Sequence, residues 1–199
     1  DFESAPTAGV STGGSGAYAF SWHSGATSSG STGPSSGYGG SGSYYYAEVS
    51  PRNQGDLFRL SYDGSGCFSN AVTSIDFKFH MYGATMGTLS VVDAANVQKW
   101  SMSGDRGNSW QSATGVSIDS VSFSFSYVRG SSFTGDAAVD QVVVTCGPGA
   151  LAQGALTAAD GWSNGVGAAD PAAARCENTC VRVSGDSVGT STVRTSNGN

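Results

Sequence analysis

The feature that most constrains this chain is a period-two alternation of apolar and polar residues in segments 58–62, 75–81 and 121–127. Alternation of this kind is typical of half-buried strands, with one face toward a core and one toward water. Residues 137–146 are more continuously apolar, which predicts a strand covered on both faces. No segment has a helical period, and Gly-containing turns separate the runs, so we predict an all-β antiparallel sandwich or jelly roll. The residues predicted to face the core are Phe58, Leu60, Tyr62, Ile75, Phe77, Phe79, Met81, Val121, Phe123, Phe125 and Tyr127.

Composition divides the chain into a sandwich and an extension. In residues 4–43, 27 of 40 positions are Gly, Ser or Thr, so we expect mostly a long loop with brief strands at its ends. Exposed Ser and Thr of residues 24–43 are candidates for O-linked sugars, and a bare loop is the alternative. After Cys146 the chain becomes rich in Gly and Ala. We therefore predict a sandwich over residues 1–147 and a short Gly/Ala-rich C-terminal extension over 148–199.

The extension contains a strand pattern of its own. Residues 181–183 and 188–193 are rich in Val and flank a Ser-Gly-Asp-Ser turn, which predicts a β-hairpin or two short strands. Two strands alone are marginally stable in water, so they need a partner. The extension is therefore either an assembly arm that adds to a sheet edge or a linker toward a further domain.

Charge and apolar run length exclude several partners. The formal net charge is −6 and the basic residues are scattered, whereas a nucleic-acid interface needs clustered cations. No unbroken apolar run exceeds four residues, the length of 44–47, so no helix of this chain is expected to span a membrane. Because the chain begins at Asp1 rather than Met, we expect it to be processed or part of a longer protein.

The four cysteines indicate an oxidising compartment. An even number of Cys in a Lys-poor, Ser-rich chain predicts two disulfides in a secreted or cell-surface protein, and three pairings are open. Cys176 and Cys180 are spaced one residue too far apart for a redox Cys-x-x-Cys motif, so we interpret them as a structural pair. The alternative is four free thiols in a cytosolic protein. The four are Cys67, Cys146, Cys176 and Cys180.

Seven motifs follow one another in an order that indicates a family. They are Asp1-Phe2-Glu3, Phe20-Ser21-Trp22, Thr32-Gly33-Pro34, residues 42–50, residues 67–91, Trp100 and Trp110 around a Gly turn, and residues 129–147. Over about residues 1–147 this order resembles the MAM domain, a module of extracellular receptors and secreted proteases. The resemblance implies two packed antiparallel sheets in a jelly roll and a role in adhesion or assembly rather than catalysis.

The resemblance also implies a disulfide between Cys67 and Cys146, the pair that matches the second Cys pair of the family. Closing a loop of about 80 residues stabilises a fold by roughly 4 kcal/mol in the chain-entropy model. Two departures are visible: the first Cys pair of the family is absent, and Gln141 replaces the usual second acidic residue after Asp140.

Three acidic residues are candidates for a structural Ca²⁺ site. First and last strands commonly meet in a jelly roll, which would bring Glu3 and Asp140 to one edge, with Asp136 on the same final strand region. Oxygen-only ligands suit Ca²⁺, and MAM domains can carry a structural cation in this region. The alternative is that Asp140 caps a turn and Glu3 is solvated.

A group of aromatic residues is the candidate ligand surface. Trp22, Tyr38, Tyr44 and Tyr46 could form a stacking platform for sugars. The alternative is that alternate Tyr side chains enter the core and the others cover loops.

Catalytic signatures are weak. His80 and Asp76 are four residues apart on one strand, about 13 Å by the strand rise and too far for direct contact, so His80 is interpreted as part of a polar strand face. Its match to a motif residue of the MAM family implies a structural hydrogen bond. No Ser is singled out as a nucleophile, and no paired carboxylates are indicated. We therefore predict that the chain is not an enzyme.

The sequence thus predicts a secreted or cell-surface structural or adhesive module that mediates protein–protein assembly in an extracellular filament, coat or matrix. Its expected partners are other copies of itself or other extracellular proteins. Two alternatives remain: a carbohydrate-binding module that recognises glycans, and a non-catalytic accessory domain of a larger secreted protein.

Overall fold

The computed structural model describes residues 2–5, 7–14, 16–67 and 71–147, together with strands at 182–184 and 187–189. Every regular element in these ranges is a strand, as the alternation predicted. The strands are β1 Val10–Thr12, β2 Tyr18–Ala19, β3 Ser21–Ser24, β4 Ser43–Ala47, β5 Leu57–Tyr62, β6 Val72–Met81, β7 Thr88–Asp93, β8 Gln98–Ser103, β9 Gln111–Ser120, β10 Phe123–Val128, β11 Ala137–Cys146, β12 Arg182–Ser184 and β13 Ser187–Gly189.

Two sheets form the sandwich. The first sheet has the order β1-β5-β10-β7-β8, with the two-residue β2 also pairing β5 in parallel. The second sheet has the order β3-β4-β11-β6-β9, and all its pairs are antiparallel. The chain passes from the first sheet to the second at Phe20, between β2 and β3.

The core lies between the sheets and follows the predicted parity. Ile75, Phe77, Phe79 and Met81 of β6 are all buried, as are the inward residues of β10. On β5, Phe58 and Leu60 are buried and Tyr62 is partly buried against the core. Edge-to-face contacts join the sheets, for example Phe77 with Phe125 at 4.9 Å between ring centroids.

One member of the predicted core set lies outside the core. Val121 is 56% exposed, because β10 begins only at Phe123 and Val121 belongs to the turn after β9. The prediction for this position was therefore wrong, and Phe123, Phe125 and Tyr127 alone carry the inward face of β10.

The last strand of the sandwich is covered on both faces only in its first half. Residues 137–140 are buried, whereas Gln141, Val143 and Thr145 are exposed, so the prediction for 137–146 was wrong beyond Asp140. A β-bulge lies between Asp140 and Val143, with Gln141 at φ 44°. The extra residue changes the parity, so Val142 and Val144 face the core in place of Gln141.

The Cys67–Cys146 disulfide that the resemblance implied is present, with a Cα–Cα distance of 5.4 Å. It closes a separation of 79 residues and ties the end of β11 to the loop after β5. Cys176 and Cys180 lie outside the described residues.

Beyond the sandwich, β12 and β13 pair antiparallel across residues 182–189, which is the predicted hairpin. In the part of the chain that the structure describes, no helix has the length and hydropathy needed to cross a bilayer.

Candidate functional site

One lateral edge of the sandwich is built entirely from uncharged strands. It consists of β1 and β2 in the first sheet and β3 in the second, and we call residues 10–12, 18–19 and 21–24 the edge surface. These nine residues include no Lys, Arg, Asp or Glu. Within the described residues, β3 pairs only with β4, so its outer backbone groups have no strand partner there.

Two aromatic side chains of this edge surface are partly exposed and are fixed by contacts with neighbouring residues. Trp22 is 42% exposed, and its indole Nε1 donates a hydrogen bond of 2.7 Å to the Phe2 carbonyl. Tyr18 is 38% exposed and lies against Phe58, while the Arg52 guanidinium lies 4.1 Å above its ring centroid. Both rings are therefore held in place and remain partly exposed to solvent.

The opposite edge, formed by β8 and β9, is protected in the usual ways. On β9, Gly115 has φ 62° and its amide donates to Asp76 Oδ1 at 2.6 Å, and Asp119 has φ 48°. Two register irregularities interrupt the pairing of β9 with β6. Beside β8, Lys99 and Asp93 form an ion pair at 3.2 Å. Bulges and charges of this kind discourage strand addition, and the edge surface has neither a charge nor a bulge in its strands.

A second aromatic cluster lies on the outer face of the second sheet beneath the loop of residues 25–42. Tyr44, Tyr46 and Ala138 are buried there and pack against Trp110. The loop is fixed by Tyr44 Oη donating to the Gly25 carbonyl at 2.7 Å and by Trp110 Nε1 donating to the Ser36 carbonyl at 3.1 Å. These Tyr rings are therefore covered by the chain itself.

The structure thus separates the four aromatic residues that the sequence proposed as one platform. Tyr44 and Tyr46 belong to the covered outer cluster, and Tyr38 lies on the covering loop with Lys78 Nζ 4.6 Å from its ring centroid. Trp22 pairs across the sheet with Tyr45, a core residue. It therefore lies on the face of the second sheet opposite to that of Tyr44 and Tyr46.

His80 lies on the same outer face of the second sheet and is more buried than the strand alternation predicted. The side chain is 2% exposed, stacked edge-on to Trp110 at 5.5 Å between ring centroids. Burial lowers the pKa of the imidazole, opposed by Asn108 and Asp105. Its Nδ1 has no hydrogen-bond partner in the structure, so the structural bond expected for this residue is not made through that atom. Asp76 does not reach it and accepts from Gly115 instead.

Asp136 joins the loops at one end of the sandwich. The residue is fully buried; its Oδ1 accepts from the Val49 amide at 3.1 Å, and its own amide donates to Thr32 Oγ1 at 2.8 Å. Burial raises the pKa of this carboxyl to about 7, opposed by the Val49 hydrogen bond and reinforced by Glu48. Its Oδ2 has no partner. Asp136 is therefore a buried structural carboxyl whose ionisation is disfavoured.

Glu3 and Asp140 hold another loop, the Gly-rich segment 37–43. Asp140 Oδ2 accepts from the Tyr38 amide at 2.8 Å, and Glu3 Oε2 accepts from the Ser43 amide at 3.2 Å. Gly42 has φ 83°, and a Cβ there would meet the end of the Glu3 side chain, so both the backbone conformation and the close approach favour Gly. Burial raises the pKa of Asp140, and the negative charge of Glu3 adds to this effect.

The candidate cation ligands are thus divided between two places. Glu3 and Asp140 act on the same loop and interact electrostatically, whereas Asp136 is bonded to Val49 and influenced by Glu48. Two carboxylates with spare lone pairs fit an oxygen-binding cation. Among the described residues, no group of three His, Cys, Asp or Glu side chains is placed to hold a metal, so backbone oxygens or water would have to complete such a site.

The expectation that the chain has no Gly-x-Ser-x-Gly nucleophile elbow was wrong as a statement about the sequence. The pattern occurs at 9–13, 33–37, 161–165 and 185–189. Neither of the first two stands between a strand and a helix, and neither described His hydrogen-bonds to a Ser. These segments therefore lack the context that the elbow requires.

Comparison with known proteins agrees with the disulfide-bonded β-sandwich class that the fold defines. A family model for the MAM domain, meprin/A5/mu, matches residues 1–148, and the chain belongs to this family. MAM domains are extracellular adhesion-type modules.

The curated relatives are longer proteins. MAM domain-containing glycosylphosphatidylinositol anchor protein 1 of Homo sapiens is 35% identical over 130 residues, which cover 58% of this chain and 13% of that protein. MAM domain-containing glycosylphosphatidylinositol anchor protein 2 of Mus musculus is 34% identical over 137 residues, covering 58% and 14%. MAM and fibronectin type III domain-containing protein 1 of Acropora millepora is 38% identical over 66 residues, covering 33% and 15%.

The alignments with solved structures are weaker. The K1 cleaved adhesin domain of Lys-gingipain from Porphyromonas gingivalis W83 aligns with a TM-score of 0.48 at 15% identity, covering 74% of this chain and 96% of that one. The TmCBM61 structure in complex with β-1,4-galactotriose aligns with a TM-score of 0.32 at 12% identity, covering 53% and 70%.

Proposed function

We propose that this chain is an extracellular adhesive module that makes its protein–protein contact through the edge surface. The observation that carries this proposal is the contrast between the two lateral edges of the sandwich. The β8/β9 edge has bulges and charges, whereas strands β1–β3 carry no Lys, Arg, Asp or Glu and display Trp22 and Tyr18. An uncharged edge strand beside half-exposed aromatic rings suits both strand addition and aromatic anchoring.

The partner is a second copy of the chain or another extracellular protein that presents an extended strand. Backbone hydrogen bonds to β3 would supply affinity, and the Trp22 and Tyr18 rings would select the side chains laid across them. A glycan platform has less support, since the four aromatic residues proposed for it lie on different surfaces. The disulfide and the family membership support an extracellular location.

A structural Ca²⁺ is a further part of this proposal. Glu3 and Asp140 would hold the ion, which would neutralise two carboxylates that now repel one another and would fix the loop they both bind. The ion's role would be to stiffen the N-terminal region next to the edge surface rather than to contact the partner.

Sedimentation velocity of the full chain tests the edge directly. Ser21→Lys and Ser24→Lys place a charge on β3, and Ser101→Lys places the same charge on the exposed face of β8 as a matched control. We expect the native chain and the control to self-associate, or to bind a co-purified extracellular partner, and both β3 variants to lose this binding at least tenfold. Equal binding by the β3 variants and the control would contradict the edge as the contact surface.

A further inference from the structure

Between the two sheets, near the end of β11, the core is incompletely filled. A half-enclosed cavity of about 160 Å³ lies among Phe2, Leu60, Phe123, Phe125, Val142 and Val144. After the β11 bulge at Gln141, the short side chains of Val142 and Val144 face inward here, whereas large aromatic residues fill much of the core elsewhere.

The chemistry of the walls determines what this cavity can hold. A water molecule is well held only when it finds two to four polar partners, and Val, Leu and Phe side chains offer none. Displacing such poorly held water by an apolar group is favourable. An apolar cavity of about 150 Å³ in another protein is known to take up benzene, so the volume here matches a single six-membered ring.

Among the described residues, the polar side chains in the lining are those of Thr7, Ser61 and Tyr62. Thr7 Oγ1 donates to the Ser4 carbonyl, and Ser61 Oγ is paired with Ser124 Oγ at 2.8 Å. Tyr62 Oη accepts from the Gly66 amide at 2.9 Å. Each of these hydroxyl groups therefore already has a hydrogen-bond partner within the protein.

We propose that this cavity binds a compact apolar molecule of about one ring, such as an aromatic or branched alkyl compound. Val10 of the edge surface is part of the cavity wall, but the proposal does not depend on the proposed adhesive function. The proposal rests on the cavity's volume, its apolar walls and the inward turn of Val142 and Val144.

Methyl-resolved NMR of the full chain with benzene as the probe tests the proposal, with glucose as a polar ring for comparison. We expect saturable shifts at the methyl groups of Leu60, Val142 and Val144, with a dissociation constant on the order of 1 mM, and no shift with glucose. The methyl groups of Val143, which is 58% exposed on the same strand, should not respond.

Two substitutions on β11 make the test specific. Val144→Phe fills the cavity and should abolish the benzene shifts, whereas Val143→Phe adds the same ring on the outer face and should leave them unchanged. Val142→Leu, a smaller change, should weaken binding several-fold if the larger substitution does not fold. Absence of saturable shifts in the native chain, or benzene binding that survives Val144→Phe, would overturn the proposal.

Discussion

Asp136 gives the sharpest quantitative prediction, because a fully buried carboxyl with one partnerless oxygen should make the stability of the fold depend on pH. Its pKa of about 7 exceeds the ordinary 3.8 by about three pH units. Each unit corresponds to about 1.4 kcal/mol of differential stabilisation, so the ionised form costs up to about 4 kcal/mol of unfolding free energy.

The direction follows from proton linkage. Below about pH 4, Asp136 is protonated in both the folded and the unfolded chain, and its contribution to stability is fully present. Between pH 4 and pH 7 the unfolded chain releases this proton while the folded chain retains it, so this contribution falls as pH rises. Above about pH 8 the loss is complete and the contribution no longer varies.

Asp136→Asn removes the charge and keeps the oxygen that accepts from the Val49 amide. We expect the variant to lose most of the decline in stability between pH 4 and pH 8 and to exceed the native chain by 1 to 4 kcal/mol at pH 8, on the order of the buried-charge cost. Urea unfolding followed by Trp fluorescence at four pH values, in EDTA, measures this difference. Asp119→Asn, at an exposed carboxylate, is the matched control.

The reasoning would be refuted if native and Asp136→Asn chains showed parallel pH profiles. That result would mean that the carboxylate is ionised in the folded chain at little cost, through solvent or a bound cation that compensates its charge. If Asp136→Asn were less stable than the native chain at pH 8, the conclusion would be the same: the ionised carboxylate costs the fold little.

Three further predictions concern the disulfide, the buried imidazole and the cation. Replacing Cys67 and Cys146 together by Ser should lower the unfolding free energy by roughly 4 kcal/mol, measured by urea unfolding, and a change below 1 kcal/mol would be inconsistent with the chain-entropy argument. Burial lowers the pKa of His80, so below about pH 6.5 the unfolded chain takes up a proton before the folded chain does, and stability falls. In a thermal-unfolding pH series, His80→Gln should reduce the fall in melting temperature on the acid side. Calcium should raise the melting temperature of the native chain by a few degrees and leave Glu3→Gln and Asp140→Asn variants unchanged, while an equal rise in all three would place the ion elsewhere.

The core of this fold could be predicted from local pattern because strand parity is a local property. In β5, β6 and β10 the alternation identified the inward residues, with Val121 the exception at a strand end. The Cys67–Cys146 pairing came from family resemblance, since four Cys alone leave three pairings open.

The outer layer could not be predicted in this way. Strand alternation predicts that His80 lies on a solvent-exposed face. The loop of residues 25–42 and Trp110 cover that face, so the side chain is buried. Such coverage depends on contacts between distant segments, which period-two patterns do not encode. The bulge at Gln141 is similar: one extra residue reverses the strand parity, so Gln141 and Val143 face outward while Val142 and Val144 face the core beside the cavity.

The edge surface could not be predicted from the alternation pattern either. The sheet topology determines which strands lie at an edge, and the pattern does not encode it. The sequence shows that residues 10–24 carry no Lys, Arg, Asp or Glu, and only the strand order shows that β1, β2 and β3 share one lateral edge. The functional proposal therefore depends on the fold more than on any motif.

Amide hydrogen exchange of β3 tests the central claim most directly. The full chain would be measured at dilute and at associating concentration, or with and without a bound extracellular partner. If the edge surface is the contact, amide protection should rise at residues 21–24 in the associated state and remain unchanged on β8 and β9. Increased protection on β8 or β9 with no change on β3 would contradict the account.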